Sequence, residues 1–236
     1  MSYITKPKAP KVVWSYSSLK QFETCPFQYF RTRVKKDIKD EGNEATIFGK
    51  EMHLAAEEYI RDGKPIPDKY DFMKPPMEMV NAWKGEKLCE FKLALREDLT
   101  PCDFFAKDVW WRGVADLIVI SEDGTKARVI DYKSSKNTKY ADVSQLDLLA
   151  AAVFIHFPKV TTIQGALLFL VCNEMVPQIP KKYEFMFSRS TFTNVKPDVK
   201  RIEIAIDSGV WNKKESGLCR GWCAVKDCEN YQPRRK

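Results

Sequence analysis

Three charged residues near the middle of the chain carry spacing suited to chemistry on phosphate esters. Asp131 and Lys133 flank Tyr132 within Lys126–Lys133, a run whose alternation predicts a β-strand. Side chains alternate along a strand, so Asp131 and Lys133 leave one face while Ile130 and Tyr132 turn into packing. Asp116 lies in a second predicted strand, Trp110–Ile120, and Ser121–Thr125 between them, with Gly124, reads as a hairpin turn. Pairing would set Asp116 beside Asp131. Adjacent carboxylates repel unless a cation joins them, and Mg²⁺ suits such a pair while keeping several waters. A neighbouring lysine can orient a water and offset charge on the attacked phosphate, which together describes metal-assisted phosphodiester hydrolysis. A lone Asp-x-Lys triplet is also compatible with strand-end carboxylates and a solvated lysine.

Further residues bear on that reading. His53 sits at helical spacing from Gly49 and Ala56, which leave room around its ring, although a half-buried helical histidine has the same signature. His156 ends an apolar helix before Pro158 and reads as structural. Glu90 opens a predicted strand and is either a further carboxylate or a surface residue. Gln145 begins the helix after the triplet, where its amide can reach a phosphate or face solvent. Cys219, Cys223 and Cys228 cluster with Gly217, Gly221 and Trp222, and three close thiols are one ligand short of a tetrahedral metal set. Cys89, Cys102 and Cys172 fall in or near apolar strands and read as core thiols.

The elements that must position these groups follow from periodicity. Residues 1–13 read as an extended arm because Pro7 and Pro10 oppose helix. A first helix begins at Ser17 or Ser18, with Gln21 placed to complete a capping box from Ser18, a stripe of Leu19, Phe22 and Phe30, and a break at Pro26. A second covers Ile47–Ile60 with Phe48, Met52, Ala55 and Tyr59 on one face, and a third covers Pro76–Lys87. Strands are expected at Glu90–Leu95, Trp110–Ile120 and Lys126–Lys133, then a helix at Val143–His156 facing Leu146, Leu149, Ala150 and Val153 inward. Strands at Ile163–Cys172 and Tyr183–Phe187 and a helix at Thr191–Asp207 lead to the Cys-rich tail. The order predicts an α/β fold, a mixed central sheet flanked by helices with an N-terminal helical segment and a C-terminal Cys-rich segment. One domain is expected over 1–236, with a helical region over 1–88, a sheet core over 89–190 and a helix-plus-cysteine region over 191–236.

Composition narrows the classes. With 236 residues, 44% apolar and 12% aromatic, the chain supports a core and is not a disordered polymer. The longest apolar run, Gly165–Cys172, suits a buried strand and falls short of a membrane span. Met1–Lys11 is polar and basic without an apolar stretch, which argues against secretion and for reduced thiols in a cytoplasmic protein. The formal charge of +7 is spread along the chain, as on an ordinary soluble surface or on one that meets a polyanion. Trp110, Trp111 and the basic end Arg234-Arg235-Lys236 offer stacking and backbone contacts for a single strand, although tryptophans opening a strand are commonly core.

Ser15-Tyr16-Ser17-Ser18-Leu19, Cys25-Pro26-Phe27-Gln28-Tyr29, Phe48-Gly49-Lys50-Glu51-Met52-His53, Arg112-Gly113-Val114-Ala115-Asp116 and Val129-Ile130-Asp131-Tyr132-Lys133 together resemble the RecB-like branch of the PD-(D/E)XK nucleases. That branch holds nuclease domains of recombination helicase–nucleases, CRISPR-associated exonucleases and phage exonucleases. The resemblance spans nearly the whole chain and implies a restriction-endonuclease-like core. It implies that His53, Asp116, Asp131 and the Tyr132 carbonyl bind Mg²⁺ or Mn²⁺, that Lys133 is the catalytic lysine and that Gln145 assists. It also implies that Cys25 joins Cys219, Cys223 and Cys228 around a four-iron, four-sulfur cluster, with zinc or no metal as alternatives because the C-terminal spacing departs from the family's. The family's Gln-x-x-x-Tyr helix motif has Leu149 at the tyrosine position. The implied substrate is single-stranded DNA or DNA ends in a bacterial or phage-infected cell, with protein partners in recombination, replication or CRISPR adaptation. An endonuclease or nickase of the same fold, or a DNA-binding accessory module that does not cut, remains the alternative reading.

Overall fold

In the computed structural model, residues 11–185 and 188–233 are described. The described residues form two compact units, one drawn from 11–13 and 45–194 and the other from 14–44 and 195–233.

The first unit is built on a five-stranded sheet whose spatial order is β1 (Glu86–Leu95), β2 (Trp111–Ile120), β3 (Lys126–Lys133), β4 (Thr162–Phe169) and β5 (Glu174–Glu184). Pairing is antiparallel except between β3 and β4, which run parallel. A parallel pair needs a crossover, supplied here by a helix, α5 (Ser144–His156), that lies against β1 to β4. Leu146 and the whole run Leu148–Phe154 are buried in α5. It is apolar nearly all round, as a helix sunk in a core must be. A second layer comprises α3 (Glu44–Asp62), a 3₁₀ turn (Asp68–Met73) and α4 (Lys74–Asn81). Met52, Ala55, Ala56, Tyr70, Met77 and Val80 from this layer pack in one cluster with Leu117, Ile130, Tyr132 and Leu168 of the sheet.

The β2–β3 turn forms as its residues predict, with Gly124 at φ 72° and its N–H donating to the Ser121 carbonyl at 2.8 Å. Asp123 accepts from the Ser121 hydroxyl at 2.6 Å and the Thr125 N–H at 3.0 Å. These hydrogen bonds hold its carboxyl at about 2, well below the usual carboxylate value.

In the second unit, α1 (Tyr16–Thr24) is capped by Ser15, which exchanges hydrogen bonds with Ser18. The expected cap at Ser17 or Ser18 is therefore displaced, and Gln21 instead bonds Thr32 and Arg33. Cys25 is extended at the expected break, and Pro26 opens a short helix, α2 (Pro26–Tyr29), that runs into a π-helical turn (Phe30–Val34). Phe30 is only half-buried, whereas Gln28 and Tyr29 are buried. Trp211, beyond α6 (Ser188–Ser208), stacks on Tyr29 and Phe30 and meets Phe22 edge-on. Arg31 binds both Asp37 and Asp227, and Lys214 donates to the Glu23 carbonyl at 2.9 Å.

Several boundaries differ from expectation for identifiable reasons. The third helix ends at Asn81, and Glu86 and Lys87 belong to β1, so the first strand starts before Glu90. Gly85, at φ 120°, turns the chain between them. A Cβ there would strike the Ile120 carbonyl as well as demand a left-handed backbone. Gly85→Ala should therefore lower the unfolding free energy by about 3 kcal/mol in a denaturant titration. The strand expected at Ile163–Cys172 ends at Phe169, placing Cys172 in the following turn. The strand expected at Tyr183–Phe187 is the end of the longer β5, and Phe187 lies outside the described residues. Pro177 and Pro180 oppose a strand in sequence but are tolerated because β5 is an edge. The arm residues 1–10 and the basic end 234–236 also lie outside the described residues.

Candidate metal centre and active site

Three carboxylates stand at one level of the sheet on adjacent strands. Cys89↔Leu117 and Phe91↔Ala115 bracket Glu90 and Asp116, and the β2–β3 pairing ends at Leu117↔Ile130, immediately before Asp116 and Asp131. Glu90 itself adopts φ 47°. A left-handed backbone is costly outside glycine, and such strain is held where surrounding structure fixes it, often at functional sites. Asp116 Oδ2 accepts the main-chain N–H of Tyr132 at 2.5 Å, so a side chain takes up a strand donor where the ladder stops. This bond ties the Asp116 strand directly to the Asp131-Tyr132-Lys133 segment.

His53 projects from α3 with Nδ1 3.3 Å from Asp116 Oδ1. Its ring stands edge-on to that of Tyr132, with centroids 5.9 Å apart. Gly49, one turn earlier, leaves space that Ser134 occupies from the strand side. Ligand atoms of His53, Glu90 and Asp116 all lie within 4.8 Å of one another. Among the described residues this is the one such group of histidine, cysteine or acidic side chains. It borders a hollow of about 500 Å³, also lined by Lys50, Glu57 and Ser134.

Asp131 stands outside that trio and faces Lys133. Lys133 Nζ is 2.6 Å from Asp131 Oδ2 and 3.3 Å from Gln145 Oε1 at the start of α5. Asp131 is only 3% exposed, and its buried Oδ2 is ion-paired with the Lys133 ammonium.

Electrostatics at the centre favour a cation. Burial, then the Asp116 charge, pushes the Glu90 carboxyl up to about 7. Burial and Asp116 likewise push Asp131 up to about 6 against the opposing pull of Lys133. For His53, burial disfavours the charged ring, but hydrogen bonding and attraction to Asp116 outweigh it and raise the pKa. Burial and then the Asp116 charge make Glu90 and Asp131 costly to ionise, and a divalent ion removes that cost. A donor set of carboxylate oxygens with one imidazole nitrogen suits Mg²⁺ or Mn²⁺, the nitrogen more readily the latter. The converging donor atoms of His53, Glu90 and Asp116 fit such an ion.

The chain matches the PD-(D/E)XK nuclease superfamily over residues 13–228. It belongs to that superfamily. Its mixed sheet flanked by helices, followed by the Cys-rich segment, is the restriction-endonuclease-like α/β fold of a PD-(D/E)XK nuclease. Similar solved structures include that of SSO0001, at 12% identity and TM-score 0.47, covering 95% of this chain and 89% of that one. Another is a candidate exonuclease from Eubacterium rectale, at 12% identity and TM-score 0.48, covering 91% of this chain and 85% of that one. No curated protein sequence matches. Superfamily membership supports a metal-dependent nuclease, with nucleic acid as its substrate.

For this PD-(D/E)XK nuclease, the structure gathers the expected residues into two adjoining sets, His53 with Asp116 and Asp131 with Lys133 and Gln145. Glu90, whose sequence context fits a site carboxylate and a surface residue equally, joins the first set. Ser134 carries no signal in the sequence beyond its place after Lys133. His156 bonds the main chain of Ala94, a structural role. Trp110 and Trp111 are 3% and 1% exposed and pack on Phe192, so they offer no stacking surface. Cys89 is half-buried in β1 beside the α3 cluster, whereas Cys102 and Cys172 sit half-buried in connections.

In the second unit Cys25, Cys219, Cys223 and Cys228 line one hollow with Phe27 and Val225. Cys219 accepts the Ser216 N–H at 3.5 Å, and Cys223 accepts that of Val225 at 3.4 Å. Burial and the other three thiols raise the Cys223 pKa against the pull of the Val225 amide. No helix among the described residues is long and apolar enough to cross a membrane.

Proposed function

We propose that this protein is a Mg²⁺- or Mn²⁺-dependent deoxyribonuclease acting as an exonuclease on single-stranded DNA or DNA ends. The observation that carries the reading is the convergence of His53, Glu90 and Asp116 beside the Asp131–Lys133–Gln145 chain. His53, Asp116 and Asp131 hold the metal with the Tyr132 carbonyl, and Glu90 adds a further carboxylate. The ion supplies positive charge against that developing on the scissile phosphate. Lys133 orients the attacking water and hydrogen-bonds the phosphate, while Gln145 fixes the position of the lysine ammonium.

The four cysteines are proposed to hold a four-iron, four-sulfur cluster rather than zinc. Tetrahedral zinc with Zn–S bonds of about 2.3 Å draws thiolates to roughly 3.8 Å from one another. The cysteines surround one hollow, yet no three of their sulfurs come within 4.8 Å of one another. A cluster ligated at four separate irons suits that wider set, and N–H donors to the sulfurs tune such centres.

The test is an anaerobic preparation offered labelled linear and circular single-stranded DNA, with Mn²⁺ or EDTA. Linear DNA should be lost only with the metal, and circular DNA should persist. Cutting of the circle would make the protein an endonuclease, and cutting in EDTA would sink the metal reading. The same sample should show an absorption band near roughly 400 nm that bleaches on oxidation.

A further inference from the structure

The connection between β1 and β2 presents an aromatic side chain to solvent in a fixed position. Phe105 is 70% exposed. Its backbone is anchored, with its N–H donating to Asp103 Oδ1 at 2.8 Å. Arg96 ties the same loop through Asp108 and the Pro101 carbonyl, each at 2.7 Å, and Cys102 N–H bonds the Ala94 carbonyl at 3.1 Å. Phe104 meets Phe105 edge-on at 5.2 Å between centroids.

Two cations flank the pair. Lys92 Nζ lies 5.8 Å and 5.5 Å from the Phe104 and Phe105 centroids, and the Arg112 guanidinium lies 5.3 Å and 5.7 Å from them. Arg112 Nε has no hydrogen-bond partner. Lys92 follows Glu90 on β1, and Arg112 precedes Asp116 on β2, with Lys92↔Val114 and Ala94↔Arg112 in register. At about 3.3 Å per residue, these cations stand roughly 7 and 13 Å along the strands from the carboxylate centre. That is within the reach of a few nucleotides.

We infer that Phe104 and Phe105, with Lys92 and Arg112, form a stacking platform for a base of single-stranded substrate a few nucleotides from the scissile phosphate. Exposed rings accept any base through its π-face, and adjacent cations offset the backbone phosphates. Bases within a duplex are already stacked, so the platform selects single strands. The inference rests on the nuclease reading for its biological role, but the binding it predicts is measurable without cleavage.

Phe105→Ala and Phe105→Trp in the full chain test it, since so exposed a ring contributes little to folding. In EDTA, fluorescence anisotropy of a labelled oligothymidylate should show roughly tenfold weaker binding for Phe105→Ala and near wild-type binding for Phe105→Trp. With Mn²⁺, Phe105→Ala should raise KM for single-stranded DNA by a similar factor with kcat within about twofold. Hydrolysis of bis(p-nitrophenyl) phosphate, which has no base, should not change. Unchanged oligothymidylate affinity, an equal loss on duplex, or a parallel loss on the small diester would overturn the platform. If the wild type cuts nothing, the nuclease reading fails while the anisotropy comparison still decides the platform.

Discussion

Asp116→Asn should reduce metal-dependent DNA cleavage on the order of a thousandfold while leaving the protein folded. Asp116 is the junction of the site. One oxygen faces His53 at 3.3 Å and the other accepts the Tyr132 N–H at 2.5 Å. Asparagine keeps the size and retains an oxygen for the Tyr132 amide, so the strand contact survives. What disappears is the negative charge at the centre of the donor set. His53 loses the partner that raises its pKa, and an incoming cation loses a carboxylate ligand. Mn²⁺ titration calorimetry should show weakened binding alongside the lost activity, and circular dichroism should show an unchanged fold. Cleavage by Asp116→Asn within tenfold of wild type would remove Asp116 from the mechanism.

The second large effect is on stability in the absence of metal. Asp131 is held up to about 6 and Glu90 up to about 7, both chiefly by burial and then by Asp116. A carboxyl with a raised native pKa favours the folded state while protonated. Its contribution is complete below the ordinary carboxylate pKa and is lost as pH rises through the native value. The raised pKa of His53 acts in the same direction. Metal-free protein should therefore lose stability between about pH 5 and pH 8, where ordinary surface carboxylates are already ionised. Asp131→Asn removes a charge that is buried beside Asp116, and at pH 8 it should stabilise the metal-free protein by on the order of 2 kcal/mol. Saturating Mn²⁺ should reverse the wild-type loss, since a ligand at a hundred times its Kd adds about 2.7 kcal/mol. Thermal melts across this range, with and without metal, measure all three effects. A wild-type Tm that is flat with pH, or an Asp131→Asn protein less stable than wild type at pH 8, would contradict the electrostatic account.

Some features of the site are legible in the sequence because short-range rules govern them. The Asp123-Gly124 turn fixes the β2–β3 register, and that register sets Asp116 against Asp131. Strand alternation also places Lys133 with Asp131, and the apolar run Leu148–Phe154 identifies the helix that crosses between β3 and β4. Other features are hidden because distant segments decide them. Glu90 and Asp116 are separated by the long Arg96–Trp110 connection, so no turn rule sets their register. The left-handed backbone at Glu90 has no marker in its residue type. Most of β5 is illegible because Pro177 and Pro180 oppose strand, and only an edge position tolerates them.

The amino-acid sequence by itself determined the strand triplet, its hairpin partner, the flanking helices and the presence of seven cysteines. These follow from side-chain period, turn chemistry and residue type, all of which act over a few residues. Tertiary structure alone decided that the trio of converging ligand atoms is His53, Glu90 and Asp116, with Asp131 turned toward Lys133 and Gln145. It also decided that Trp110 and Trp111 are core while Phe105 is presented to solvent. Convergence and exposure depend on how layers pack, and packing joins residues whose separation along the chain carries no local signal.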